Sequence, residues 1–78
     1  MTTIAAATRR AIRPGHRVSV FYGPGNINNE TRHIRAIIDD DWIVYRVWSP
    51  ARKSWRYSVS WLYEYQLGME SGAMRIEK

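Results

Sequence analysis

The sequence predicts a mostly β protein: a small five-stranded SH3-like barrel, or alternatively an OB-like one, built on an antiparallel meander. Two observations carry this expectation. Between Glu30 and Trp61, three runs rich in β-branched and aromatic residues are separated by two short polar connections, the pattern of consecutive hairpins. On either side, His16–Tyr22 and Met74–Lys78 supply shorter alternating stretches, and no long helical period interrupts the chain, which favours the SH3-like alternative.

The register of the meander follows from its turns. A turn at Asp39–Asp41 opposes Ile38 to Trp42, and a loop between Ser49 and Ser54 opposes Trp48 to Trp55. Side chains alternate with period two, so each pairing propagates along its strands. One face then carries Ile34, Ala36, Ile38, Trp42, Val44, Trp48, Trp55, Tyr57, Val59 and Trp61. Arg46, opposite Tyr57, is its single charge, with its stem on the ring and its head in solvent. The other face carries His33, Arg35, Ile37, Ile43, Tyr45, Val47, Arg56, Ser58 and Ser60. Both hairpins collect their apolar residues on the first face, so that face is expected to be the core and the second to be open.

The remaining elements follow in order. Residues 1–13 hold three arginines and no acid, and Pro14 ends any helix there. They read as a loosely ordered basic arm ahead of a single domain over residues 14–78. His16–Tyr22 is the first strand, with Val18, Val20 and Tyr22 inward. Gly23–Asn29 is dense in residues that tolerate positive φ and reads as a flexible loop. It lacks the Lys-Ser/Thr and following helix of a phosphate-binding loop. Leu62–Gly72 reads as a turn or short helix crossing the barrel end. Met74–Lys78 is the last strand, with Met74 and Ile76 inward.

Composition sets the function classes. The chain of 78 residues makes one domain, of a size that buries only about 60% of its unfolded surface. With no cysteine there are no disulfides or thiolate metal sites, and two histidines do not make a structural zinc centre. Asp39–Asp41 lacks the spaced ligands and glycine of a calcium loop and reads as a solvated turn. No serine, histidine and aspartate stand in a catalytic pattern, and the carboxylates are not paired for acid–base work. The expectation is a cytoplasmic protein that is no enzyme and takes no cofactor, metal or membrane.

Charge points to a partner. Twelve Lys and Arg against seven Asp and Glu give a net charge of +5, and ten of the twelve cations are arginine, the side chain that forks onto phosphate and stacks on bases. Residues 1–20 carry Arg9, Arg10, Arg13 and Arg17 without an acid. Residues 42–60 carry Arg46, Arg52, Lys53 and Arg56, again without one. A basic, aromatic-bearing sheet face with a basic arm is how small barrels hold DNA or RNA. The expected binding residues are Arg35, Tyr45 and Arg56 on the open face, Arg52 and Lys53 in the hairpin loop, and Arg9, Arg10, Arg13 and Arg17 in and after the arm. The alternative is an accessory or inhibitor protein, of the kind phages and mobile elements encode, docking on a host protein or nucleoprotein complex. Ile37, Ile43 and Val47 on the open face imply a cover, which a homo-oligomer would supply.

Overall fold

The computed structural model describes residues 11–77. Its strands are β1 (Arg17–Val20), β2 (Glu30–Ile38), β3 (Trp42–Ser49), β4 (Ser54–Trp61) and β5 (Met74–Glu77), and one helix, α1 (Leu62–Ser71), joins the last two. They form one antiparallel sheet in the order β4-β3-β2-β1-β5. The expected barrel is corrected to an open sheet. β4 and β5 stay at opposite edges, and closing a barrel would require those edges to pair.

The hairpin registers are those that the turns predict: Ile38 opposes Trp42, and Trp48 opposes Trp55. Asp39 and Asp40 both adopt φ +53°, which aspartate tolerates well, and the Asp41 amide closes the turn on the Ile38 carbonyl at 3.1 Å. Val18, Val20 and Met74 are buried, with Ile76 packed beside them. Tyr22 lies beyond β1 and is exposed. The loop after it is tied by asparagines: the Tyr22 amide donates to Asn29 Oδ1 at 2.7 Å, and Asn29 Nδ2 donates to the Gly23 carbonyl at 2.7 Å.

What differs is the side on which the core forms. Ile12, Val18, Val20, Ile34, Ile43, Tyr45, Leu62, Tyr65 and Met74 make a single buried cluster, with Ile37, Val47, Met69 and Ile76 against it. The face of Ile43, Tyr45 and Ser60 is therefore inward, and the tryptophan face is outward. Two causes are visible. First, β2 carries a bulge: Ile34 pairs with Tyr45 while Ala36 pairs with Val44, leaving Arg35 as the extra residue. An extra residue shifts the alternation by one, so Arg32 and Ile34 join Ile37 inside, and His33 turns outward opposite Arg46. Second, β4 and β5 run parallel, so the chain between them must cross one face. α1 makes that crossing over the side where β4 presents Ser58 and Ser60. Serines let a helix approach closely, whereas tryptophans would hold it away.

Ile12, within the stretch that the sequence assigns to the arm, is fully buried in this core. The chain is tied down soon after it, because the Gly15 amide donates to the Ile34 carbonyl at 2.9 Å and the Ile34 amide to the His16 carbonyl at 2.9 Å. The cover expected over Ile37, Ile43 and Val47 comes from the chain's own core. Those residues are occupied within the chain, Ile43 being wholly buried.

α1 starts where Trp61 leaves β4, its first amide donating to the Asp41 carbonyl at 2.9 Å, with Glu64 in the first turn, where a negative charge is favourable. It ends at Gly72 in the left-handed region (φ +82°), whose amide returns to Met69 O. Gly68 is where helix and β5 meet. A Cβ there would stand 2.5 Å from both Cγ and Sδ of Met74. Gly68→Ala should therefore destabilise by about 1–3 kcal/mol in urea unfolding, although alanine favours an isolated helix by about 1 kcal/mol. A stabilised variant would show that α1 and β5 do not pack this closely.

Candidate binding face

The outward side of β2, β3 and β4 is built of cross-strand aromatic pairs. Trp42 opposes Trp61 and Trp48 opposes Trp55, each pair edge-to-face with ring centroids 5.5 and 5.2 Å apart. Between them lie Arg46 and Tyr57, also opposed. The Arg46 guanidinium carbon sits 3.9 Å from the centroid of the Trp55 ring, and Nη1 donates to the Tyr57 hydroxyl at 3.2 Å. His33 also meets the Trp55 ring, edge-to-face at 5.0 Å. These rings are fixed against one another yet open to solvent: Trp48 is 44% exposed, Trp61 58% and Tyr57 59%. Exposed aromatic rings gathered on one sheet face make this the candidate binding surface of the molecule.

Its electrostatics are polarised. His33 is held below the ordinary histidine range, first by burial and then by the charges of Arg17, Arg46 and Arg35. Arg17 and Arg46 stand opposite His33 on the two neighbouring strands, and Arg52 and Lys53 lie in the hairpin loop next to Trp48 and Trp55. The opposite end, at Trp42 and Trp61, adjoins Asp39–Asp41.

Several residues expected at the site lie elsewhere. Tyr45 is only 6% exposed, with the Arg32 guanidinium carbon 4.4 Å from its ring centroid, and is no stacking platform. Arg35 is exposed at the bulge on β2. Arg56 is exposed and points to Glu30, Nη2 to Oε1 3.3 Å. Arg35, Tyr45 and Arg56 thus do not form one cluster, because the bulge and the inward turn of Tyr45 separate them. Arg52, Lys53, Arg13 and Arg17 are exposed. Arg9 and Arg10 lie outside the described residues. The residues that alternation alone misses are the tryptophans, Tyr57 and Arg46. Four tryptophans are more than so small a core can hold, which is the signal that points to them.

A second polar group sits under the sheet end. Arg32 Nε contacts Glu30 Oε2 at 2.7 Å, and Nη1 reaches Glu64 Oε1 at 3.5 Å. The Tyr65 ring centroid lies 5.4 Å from the same guanidinium carbon. Burial, above all, pushes the Tyr65 hydroxyl up from its ordinary range, against the opposing pull of Ser60 and Arg32. Tyr22, Ile27 and Asn28 border an open cleft above Glu30, Arg32 and Arg56. Both arginines there contact the single acid of the cleft, Glu30, so their charge is already partly engaged.

Compared with models of known protein families, with curated proteins and with solved structures, the chain matches none.

Proposed function

We propose that this chain is a non-catalytic binding module that holds single-stranded nucleic acid on the outward face of its meander. The observation that carries the reading is the pair of solvent-open rings at Trp48 and Tyr57, set beside the half-buried Trp55 around Arg46, with Arg17 and Arg35 exposed nearby. Bases have two π-faces, and stacking on fixed aromatic rings is tolerant of sequence. Arginines beside the rings supply the phosphate contacts. Two features support an SH3-like relationship over an OB-like one: the meander is uninterrupted, and the helix falls between the last two strands.

The test is binding of labelled single- and double-stranded oligonucleotides across a salt series. Trp48→Ala should weaken single-strand binding by about 1–3 kcal/mol and leave the salt dependence alone, since stacking releases no counterions. Arg35→Gln and Arg17→Gln should each lower the slope of log K against log salt by roughly 0.7 on a single strand. Binding that vanishes by physiological salt, or that Trp48→Ala leaves unchanged, would sink the proposal. The end of the face bearing Ile38, Val59 and Trp61 beside Asp39–Asp41 suits a protein partner better than phosphate. It keeps the accessory-protein reading as the second one, to which such a result would point.

A further inference from the structure

We infer that the chain forms a two-fold homodimer by pairing the free edges of β4, joining two five-stranded sheets into one of ten. The inference goes beyond nucleic-acid binding and does not rest on it.

β4 is the last strand in the sheet order, and among the described residues no strand pairs with its outer edge. It is eight residues long and keeps an unbroken register with β3 from Ser54 to Trp61. Exposed edges are normally guarded by charged side chains, proline, a bulge or great shortness. β4 has no proline, bulge or lysine, and its one charge, Arg56, is drawn back over its own sheet to Glu30 at 3.3 Å. β5, the other edge, has four residues and is guarded by that shortness. An edge left so regular is a template for another strand.

A second copy fits this template for two reasons. The first is the pattern of the strand. Centring antiparallel self-pairing on Ser58 opposes Trp55 to the partner's Trp61 and Tyr57 to the partner's Val59, all on the outward face. Directly opposed tryptophans are the pairing this sheet already uses twice, at Trp42–Trp61 and Trp48–Trp55. The dimer would continue the row of rings from one copy to the next. Arg56 falls opposite the partner's Ser60, so no like charges are opposed.

Charge is the second reason. The Ser54 end of β4 is joined to the loop holding Arg52 and Lys53. The Trp61 end lies beside Asp41, whose carbonyl accepts from the Leu62 amide. Antiparallel pairing brings each basic loop alongside the acidic turn of the other copy, and the two-fold axis makes the contact twice. A parallel pairing would instead place like with like.

Sedimentation of the full chain, without oligonucleotide, from about 1 μM to about 1 mM should show a concentration-dependent monomer–dimer equilibrium. Arg52→Glu alone and Asp41→Arg alone should each raise the dimer dissociation constant roughly tenfold, and combining them should restore it. Both residues are exposed in turns and neither has positive φ, so the fold is expected to survive, which circular dichroism checks. Amides on the outer edge of β4 should become protected from hydrogen exchange as the dimer forms. A monomer throughout the range would overturn the inference. So would a dimer whose β4 edge amides exchange freely, or one indifferent to both single charge reversals. Loss of oligonucleotide binding with the dimer intact would count against the proposed function alone.

Discussion

Ile43→Ala should lower the free energy of unfolding by about 2–5 kcal/mol, whereas Trp61→Ala should cost only about 0.5–1.5 kcal/mol. Side-chain size argues for the opposite order, since tryptophan is much the larger residue. Location reverses it. Ile43 is wholly buried in the core cluster between β2 and β4, and its removal leaves a cavity that the paired strands on both sides cannot collapse to fill. Trp61 is 58% exposed and mainly loses its edge-to-face contact with Trp42. Denaturant titration of both variants at one low protein concentration checks the order and limits any contribution from association. If Trp61→Ala proves the costlier substitution, the tryptophan face is covered and the core is on the other side of the sheet.

The strands and the two hairpin registers are legible because turn residues and period-two patterning are local properties. Asp39–Asp41 and the Pro50–Lys53 loop each dictate which residues oppose, and nothing distant alters that. The side on which the core forms is not local. It depends on where the chain crosses from β4 to β5, and a crossing helix prefers the face that admits it closely. Ser58 and Ser60 provide that approach, yet in sequence they read as polar and therefore as outward. The bulge at Arg35 was equally hidden. Without it Ile34 belongs with Ala36 and Ile38; with it Ile34 belongs with Ile43. The candidate site inherited both errors. The arginines of the acid-free segments, Arg13, Arg17, Arg52 and Arg56, are exposed, but the aromatic ring expected to serve them, Tyr45, lies inside, and the rings that stand open are those that hydrophobicity assigns to the core.

Arg32→Ala should be among the most destabilising single changes in the molecule, at roughly 2–4 kcal/mol. Its side chain is only 9% exposed and enters the inward face because the bulge re-phases β2. There the guanidinium stacks on Tyr45 and lies near Tyr65, with Glu30 at 2.7 Å and Glu64 at 3.5 Å. Truncation removes the stacked plane between two rings and takes from Glu30 its closer cation, leaving Arg56 at 3.3 Å. A buried pair broken on one side costs about 3–5 kcal/mol. The lower range applies here because Glu64 is half exposed and Glu30 retains that second partner. Lysine should not rescue the site, since it lacks the planar fork that stacks and bridges at once. Methionine at 32 combined with Glu30→Gln should recover much of the loss, because it refills the space between the tyrosines and leaves no carboxylate without its cation. Urea unfolding of the three variants orders them. An Arg32→Ala protein within about 0.5 kcal/mol of the parent, the range of ordinary surface substitutions, would mean that Arg32 lies in solvent and that β2 runs without its bulge.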